Sequence, residues 1–311
     1  MKKKILITGG AGYLGSVLST KLVQMGHEVY VIDRLVFSKQ SIFHLFAYKN
    51  FHFFQSDVRN KSLLKKIIKK VEYIMPLAGL VGAPLCEKNK KEAVDINFKN
   101  IKFIVKNLKK NQKIIFPTTN SGYGVGEKSK FCTEESPLRP VSLYGVTKND
   151  AEKVVLTHSN SICFRLATVF GYSYRMRTDL LVNNMVKVAI NKKHIELFEP
   201  NFRRNFIHIN DVINAFIFSL DNFNKLRGEV YNLGLSNANI SKLSLVKKIK
   251  KYVKDLKITI DETREDPDKR DYFVSNKKIE RKGFKATIGL DQGIKELLNI
   301  LPELKDVKNN Y

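Results

Sequence analysis

Short apolar runs alternate with amphipathic segments through the first two thirds of the chain. The apolar runs are rich in Val, Ile, Phe and Tyr, and such runs predict strands. The predicted strands are residues 4–7, 27–33, 51–57, 73–77, 113–116 and 161–165, and helices are predicted over about 13–25, 60–70 and 90–109 and around Tyr144. Regular alternation of strand and helix predicts a Rossmann-type α/β fold with a doubly wound parallel sheet.

The last third of the chain loses this rhythm and contains turn clusters such as EDPDKRD at 265–271. We therefore predict a smaller C-terminal α/β lobe that binds the substrate. The predicted nucleotide-binding domain is residues 1–172, to which 205–234 returns, and the predicted substrate lobe is 173–204 with 235–311. The stretch 117–140 is too long and polar for an ordinary connection, so it is a candidate active-site loop.

A glycine-rich turn joins the first strand to the first helix. Gly9, Gly12 and Gly15 have the spacing GxxGxxG, and Asp33 ends the second strand. Free N–H groups at the start of a helix can hold a pyrophosphate, and a carboxylate at the end of the second strand binds the ribose hydroxyls and repels a 2′-phosphate. The pattern therefore favours NAD over NADP, although Arg34 next to Asp33 weakens that preference.

Tyr144 and Lys148 stand four residues apart in SLYGVTKND, so a helix places both on one face. A free phenol has a pKa near ~10, and a neighbouring ammonium would favour the phenolate. Tyr144 is therefore a candidate base, with Lys148 lowering its pKa. Together with the glycine-rich turn, the pair indicates a nicotinamide-dependent oxidoreductase that acts on a hydroxyl or carbonyl group.

The chain carries 55 basic and 30 acidic side chains, a net charge of +25. The lysines are scattered along predicted helices, which favours a solubilising role over nucleic-acid binding. Cys86, Cys132 and Cys163 show no metal or disulfide spacing, so we expect no bound metal and a reducing compartment. No run approaches the ~18 apolar residues of a membrane helix. We expect a cytoplasmic protein without a membrane partner.

With these motifs in order, the chain resembles the extended short-chain dehydrogenase/reductase family, in its nucleotide-sugar epimerase/dehydratase branch. The matching stations are TGGAGYLG at 8–15, Asp57-Val58, Leu77-Ala78-Gly79, Asn97, TTNSGYG at 118–124, Tyr144 with Lys148, RLATVFG at 165–171, RRNFIHINDV at 203–212 and YNLG at 231–234. The resemblance implies that Thr119 is the catalytic hydroxyl that orients the sugar hydroxyl, and that Lys148 also holds the nicotinamide ribose.

The resemblance also assigns binding residues. The implied NAD-binding residues are Gly9, Gly12, Tyr13, Leu14, Gly15, Asp33, Asp57, Val58, Leu77, Ala78, Gly79, Asn97, Tyr144 and Lys148. The implied substrate-binding residues are Asn120, Ser121, Asn183, Arg204 and Arg270, the two arginines for the diphosphate. We expect Arg175, Arg177 and Arg203 to be surface or interface charges, and His208 to be structural.

The residues after Thr119 depart from the pattern of the branch's 4,6-dehydratases, which place an Asp-Glu pair there. Asn120 and Ser121 supply no carboxyl group, so we expect no dehydration. The branch's 3,5-epimerases use a cysteine before the Tyr-Gly pair, and Gly122 stands there. Of the reactions known for the branch, oxidoreduction at one sugar carbon, C4, is the one that remains. Thr168, where many relatives carry asparagine, puts one usual contact near the substrate phosphates in doubt.

The stretches 80–89, 120–140 and 175–185 are similar to those of dehydrogenases that oxidise C4 of a GDP-linked manno-heptose for capsular polysaccharide. This similarity implies NAD-dependent oxidation of GDP-D-glycero-manno-heptose. A UDP- or GDP-sugar 4-epimerase is an alternative, and a non-catalytic NAD- or RNA-binding regulatory relative is another. Relatives pair through the Tyr144 helix and the 90–109 helix, which implies a homodimer or homotetramer.

Overall fold

The computed structural model describes residues 2–126, 130–263, 270–304 and 307–310. The strands are β1 Lys4–Thr8, β2 Glu28–Asp33, β3 Phe51–Gln55, β4 Tyr73–Pro76, β5 Lys113–Thr119, β6 Phe131–Cys132, β7 Ser161–Leu166, β8 Thr168–Phe170, β9 His194–Leu197, β10 Arg203–His208, β11 Glu229–Leu233, β12 Asn239–Ser241, β13 Lys257–Ile260 and β14 Phe273–Val274. All of the strands predicted from the sequence are present, with ends shifted by a few residues.

The α-helices lie between these strands and after them. They are α1 Tyr13–Gln24, α2 Lys61–Ile68, α3 Ala83–Lys88, α4 Lys90–Val94, α5 Asn100–Lys106, α6 Leu143–Leu156, α7 Leu181–Lys192, α8 Ile209–Asp221, α9 Phe223–Leu226, α10 Lys242–Lys250, α11 Lys277–Arg281 and α12 Leu290–Ile300. Short 3₁₀ helices cover Gln40–Ala47, Asn120–Tyr123 and Leu301–Glu303, and a π-helical turn covers Asp95–Lys99. No helix in the described part of the chain is long and apolar enough to cross a membrane.

Seven strands of the described residues form one parallel sheet in the order β11-β7-β5-β4-β1-β2-β3. The chain passes from β3 at one edge back to β4 on the other side of β1. The strand order therefore reverses at β1, and the crevice beyond the carboxyl ends of β1 and β4 is where such sheets bind ligands. This topology confirms the predicted Rossmann-type α/β fold.

Helices cover both faces of this sheet because its strands are apolar on both sides. In β1, Ile5 and Ile7 belong to one buried core together with Leu18 of α1. Leu6 belongs to a second core together with Ala151 of α6. Alternate residues of a single strand thus pack into opposite helical layers, and the sheet is doubly wound.

The C-terminal part adds smaller sheets beside the carboxyl ends of the large one. β10 lies between β8, to which it is parallel, and β12, to which it is antiparallel. β13 pairs with β9 and β14 pairs with β6, which ties the candidate active-site loop to the segment after residue 270. β11, from the segment 205–234, is an edge strand of the large sheet. The proposed division into two domains stays a prediction.

Candidate active site

The glycine-rich turn has a conformation that side chains would block. Gly9 has φ +74°, and a Cβ there would lie 2.6 Å from the amide nitrogen of Ala78. A Cβ on Gly15 would collide with the carbonyl of Gly9. These glycines therefore let the first turn pack against the loop after β4 and against the start of α1. The N-cap residue Gly12 offers no side-chain cap, so the first N–H groups of α1 are available to an anion.

Asp33 connects the glycine-rich turn to the turn after β2. Its carboxylate accepts hydrogen bonds from the backbone N–H groups of Ala11 (3.0 Å) and Leu35 (2.8 Å). Burial raises the pKa of Asp33, and these two bonds oppose that rise. Arg34 is bound by Asp57 (3.1 Å) and Glu92 (2.9 Å), so its charge is partly compensated. The residues present fit the dinucleotide, since glycines clear the pyrophosphate path and a carboxylate stands at the ribose position.

Other residues that the resemblance assigns to NAD binding lie in the cores or fix the loops around the crevice. The Tyr13 hydroxyl donates a hydrogen bond to the carbonyl of Gly171 (2.7 Å), so this side chain fixes the loop after β8. Val58 is buried in the second core, while Leu77 and Leu14 are half-buried beside the first. Asp57 is held by Arg59, whose guanidinium lowers the pKa of that carboxyl to about 2.

Asn97 lies in the π-helical turn and holds the loop after β4. Its side chain accepts from the N–H of Leu80 (2.9 Å) and donates to the carbonyl of the same residue (2.9 Å). The predicted single helix over 90–109 is in fact α4, the π-helical turn and α5, which ends at Lys106. A π-helical turn widens the helix by one residue and is frequent at functional sites.

The three proposed catalytic residues meet at the ends of β5 and α6. Thr119 ends β5, and its hydroxyl lies close enough to the phenol of Tyr144, in the first turn of α6, to oppose the rise in the pKa of that phenol. Ser142 caps this helix by accepting from the N–H of Gly145 (3.2 Å), so the start of α6 is fixed. Lys148 lies one turn further along, and its ammonium is 4.0 Å from the centre of the Phe116 ring.

The pKa of each member of this pair shifts because of burial. Burial raises the pKa of Tyr144 to about 12, and the Cys86 thiol acts in the same direction. The charges of Arg270 and Arg177, and the hydroxyl of Thr119, oppose that rise. Burial lowers the pKa of Lys148 to about 7. The expectation that Lys148 depresses the pKa of the phenol is therefore wrong for the protein's own groups, because desolvation of both side chains is the larger effect.

Two of the predicted substrate residues follow Thr119 directly. Asn120 is only 1% exposed, and within the described part of the chain neither polar atom of its side chain has a hydrogen-bond partner. The Ser121 hydroxyl accepts from Thr119 (2.8 Å) and from the guanidinium of Arg270. Arg270 thus reaches from the C-terminal part of the chain to Ser121, two residues after Thr119. Its assignment to the diphosphate stays a prediction.

The other two predicted substrate residues are buried. Arg204 lies over the Tyr272 ring, 5.7 Å from its centre, and donates to the carbonyl of Arg203 (3.0 Å). Asn183 is fully buried, accepts from the N–H of Gly171 (3.1 Å) and donates to the carbonyl of Arg177 (2.8 Å). The structure therefore gives Asn183 a structural role in fixing the loop after β8, in place of a phosphate contact.

The expectation of surface positions for Arg175 and Arg177 is wrong, since both are buried. Arg177 is paired with Asp179, and its charge lowers the pKa of Tyr144. The guanidinium of Arg175 lies 4.2 Å from the centre of the Phe37 ring and donates to the side chain of Asn310 (2.6 Å).

Arg203 is half-buried and forms a two-point ion pair with Asp271 (2.9 Å).

The sequence offered one signal that Arg175 and Arg177 could lie near the site. Both are polar residues in the loop that follows the carboxyl end of β8. The partner of buried Arg175, Asn310, lies far along the chain, so this contact could not be predicted from the local sequence.

A buried polar network lies behind Thr119. Arg165 of β7 donates to both carboxylate oxygens of Glu152 in α6 (2.7–3.1 Å) and to the hydroxyl of Tyr123 (3.0 Å). Thr118 donates to the same carboxylate (2.7 Å), and Tyr123 donates to Asn232 of β11 (2.6 Å). The network joins β5, α6, β7 and β11, so it fixes the strand that carries Thr119 relative to the helix that carries Tyr144.

The described residues contain no cluster of side chains that could hold a metal ion, and the cysteines are free and buried. His208 is buried and caps α8, with its other ring nitrogen 3.3 Å from Glu296. The position of His208 agrees with the structural role expected from the sequence.

Residues 5–234 match the model of the NAD dependent epimerase/dehydratase family. Protein CapI of Staphylococcus aureus is 28% identical over 228 residues, which cover 68% of this chain and 67% of that protein. A putative UDP-glucose 4-epimerase of Methanocaldococcus jannaschii is 27% identical, with 95% of this chain and 97% of that protein covered. The structure of UDP-glucuronic acid 4-epimerase from Bacillus cereus, in complex with UDP-glucuronic acid and NAD, superimposes with a TM-score of 0.85 at 24% identity, with 97% of this chain and 100% of that chain covered.

Proposed function

Because this chain belongs to the NAD-dependent epimerase/dehydratase family of nucleotide-sugar enzymes, we propose that it oxidises C4 of a nucleotide-linked sugar. The predicted cofactor, NAD, is confirmed by the family. The proposed substrate is GDP-D-glycero-manno-heptose and the proposed product its 4-keto form, for synthesis of a capsule or surface polysaccharide. The substrate rests on the resemblance of the stretches 80–89, 120–140 and 175–185.

The proximity of the Thr119 hydroxyl to the phenol of Tyr144 is the observation that supports this proposal most directly. Tyr144 takes the proton of the sugar hydroxyl, while Thr119 orients that hydroxyl. Bound NAD⁺ would supply the hydride acceptor and a positive ring charge near the phenol. Since the protein's own groups leave the pKa of Tyr144 at about 12, we infer that Tyr144 becomes an effective base only with the oxidised cofactor in place.

The side chains after Thr119 support oxidoreduction over dehydration. Asn120 has no titratable proton to give, and the Ser121 hydroxyl is engaged by Thr119 and Arg270. Elimination of water from the sugar needs a general acid and a base near C5 and C6. Neither Asn120 nor Ser121 supplies one.

A nucleotide-sugar 4-epimerase is the second candidate. The relatives reported above include 4-epimerases, and the same Tyr144 chemistry would serve if the keto-sugar turned over before reduction. A non-catalytic NAD- or RNA-binding relative has less support, because Thr119, Tyr144 and Lys148 converge at one place. We further propose a cytoplasmic homodimer or homotetramer that does not bind nucleic acid.

A screen of GDP-, UDP- and dTDP-sugars with NAD tests the proposal. A dehydrogenase forms NADH and a product lighter by two hydrogen atoms, whereas an epimerase gives an isomer without net NADH. Tyr144→Phe keeps the ring and removes the base, so kcat should fall by about 10²–10⁴-fold while NAD still binds. Turnover by Tyr144→Phe at the normal rate would contradict the mechanism.

A further inference from the structure

Arg175 is a buried cation without a carboxylate partner. It is 3% exposed, and no residue that the structure describes forms an ion pair with it. Its Nε–H group is also buried and has no hydrogen-bond acceptor among those residues. Arg165 and Arg177 are buried as well, but each is paired with a carboxylate, that of Glu152 and that of Asp179. Since a buried charge is costly unless an opposite charge compensates it, Arg175 indicates an anionic ligand.

Hydrogen bonds attach the backbone of Arg175 to the start of α1. Its N–H group donates to the hydroxyl of Ser173 (3.2 Å). That hydroxyl donates to the carbonyl of Tyr13 (2.6 Å) and lies 3.1 Å from the hydroxyl of Ser16. Tyr13 is the first residue of α1, whose uncapped N–H groups are available to an anion. Arg175 is therefore fixed to the helix end that suits the diphosphate of a dinucleotide.

The side chain of Arg175 reaches the turn after β2. Its guanidinium lies 4.2 Å from the centre of the Phe37 ring, four residues past Asp33. Burial lowers the pKa of Arg175 to about 10, and the charge of Asp33 opposes that fall. In Rossmann-type folds the diphosphate lies at the start of the first helix and the ribose at the end of the second strand. Arg175 thus contacts both structures that hold the adenosine half of the cofactor.

The segment 307–310 fixes the guanidinium of Arg175. The side chain of Asn310 accepts from its Nη2 (2.6 Å), and the side chain of Asn309 accepts from the N–H of Thr178 (2.9 Å). These amides hold the cation in place without neutralising it. A fixed guanidinium binds phosphate through forked, charge-assisted hydrogen bonds.

We propose that Arg175 is a cofactor-binding residue that donates hydrogen bonds to the diphosphate of NAD. The proposal rests on the cofactor of the family and does not depend on the proposed sugar or on oxidation at C4. A nucleotide sugar also contains a diphosphate. The contacts of Arg175 with α1 and with the turn after β2 favour the cofactor, because these structures hold the dinucleotide.

Calorimetric titration of the full-length protein, freed of nucleotide, tests the proposal without substrate or turnover. The ligands are NAD, ADP and adenosine. Arg175→Met removes the charge and keeps an unbranched side chain, so Kd for NAD and for ADP should rise about tenfold or more. Adenosine lacks phosphates, and its Kd should not change. Arg175→Lys keeps the charge but loses the forked donors, so its affinities should be intermediate.

Stability separates a role in binding from a role in folding. Because the buried charge of Arg175 is unpaired, Arg175→Met without nucleotide should resist urea at least as well as the natural protein. Arg227→Met is the matched control. Arg227 is exposed and also donates to an asparagine side chain, that of Asn160 (3.0 Å). Its replacement makes the same charge change and should leave nucleotide binding unaltered.

Three outcomes would overturn the proposal. The first is an unchanged affinity of Arg175→Met for ADP. The second is an equal loss of affinity for ADP and adenosine with lower stability, which would show a structural role. The third is weaker binding of GDP or UDP with ADP unchanged, which would assign Arg175 to the substrate. Failure of the nucleotide-sugar screen would refute the proposed function alone, since these titrations contain no sugar substrate.

Discussion

Replacing Lys148, the half-buried lysine of the site, should change how the stability of the protein depends on pH. Burial lowers the pKa of Lys148 to about 7 from its ordinary value of 10.5. Between these two values the unfolded chain binds more protons than the folded one, so the free energy of unfolding rises with pH. One unit of pKa shift corresponds to ~1.4 kcal/mol, and the rise from pH ~7 to pH ~9 is therefore about 2 kcal/mol.

Lys148→Met keeps a side chain of similar length and removes the titration. We expect the variant to lack this rise and to be at least as stable as the natural protein near neutrality, although it loses activity. Urea unfolding at the two pH values, followed by far-ultraviolet circular dichroism because the chain has no Trp, measures the difference.

Lys153→Met on the same helix is the matched control. The Lys153 side chain is 74% exposed and pairs with Asp150 at the surface, so its removal should leave the pH dependence unchanged. An identical rise in the natural protein and in Lys148→Met would refute the reasoning, because the titrating group would then lie elsewhere. The reasoning would also be refuted if the free energy of unfolding failed to rise with pH in both Lys148→Met and Lys153→Met.

Three further predictions concern residues around the site. Asp33→Ala should weaken NAD binding and relax discrimination against NADP, as measured by titration with both cofactors; equal affinities in the unmutated protein would defeat the assignment. Glu152→Gln leaves Arg165 buried beside a neutral partner, so urea unfolding should show a loss of about 3 kcal/mol or more, and Glu152→Leu/Arg165→Met should recover most of it. Unchanged stability of Glu152→Gln would show that the ion pair does not fix this region. In water enriched in heavy oxygen and hydrogen, nucleotide sugars should give no 6-deoxy product, since Asn120 and Ser121 are not acids; a product lighter by one water would contradict this.

The parts of the molecule that depend on local pattern could be predicted from the sequence. The alternation of strands and helices along the chain follows from apolar runs separated by amphipathic segments. The crevice follows from the glycine spacing at Gly9, Gly12 and Gly15, because only glycine permits that approach of β1 to the loop after β4. The convergence of Thr119 and Tyr144 came from the family resemblance, and the helical spacing of Tyr144 and Lys148 supported it.

The parts that depend on distant packing could not be predicted. Arg177 and Arg175 sit in an irregular segment without periodicity, and the partner of Arg175, Asn310, is far along the chain. The direction of the Tyr144 pKa shift in the protein without cofactor was misjudged, because a sequence reports neighbouring charges but not the loss of water around the phenol. Asn183 has the right residue type for a phosphate contact, yet its backbone bonds in the loop after β8 use that capacity.

The place of β11 in the large sheet has a consequence for the order in which the chain is made. β7 lies between β5 and β11, and β11 is synthesised only after residues 173–204, the first segment of the predicted substrate lobe. Until then the apolar strand Ser161–Leu166 is an unpaired sheet edge, of the kind that promotes association with other chains. A fragment that ends at residue 172 would keep this edge permanently, and it would also lack Asn232, the acceptor for Tyr123. The nucleotide-binding part therefore cannot be isolated by cutting the chain once, and its sheet is completed during synthesis only when the returning segment 205–234 supplies β11.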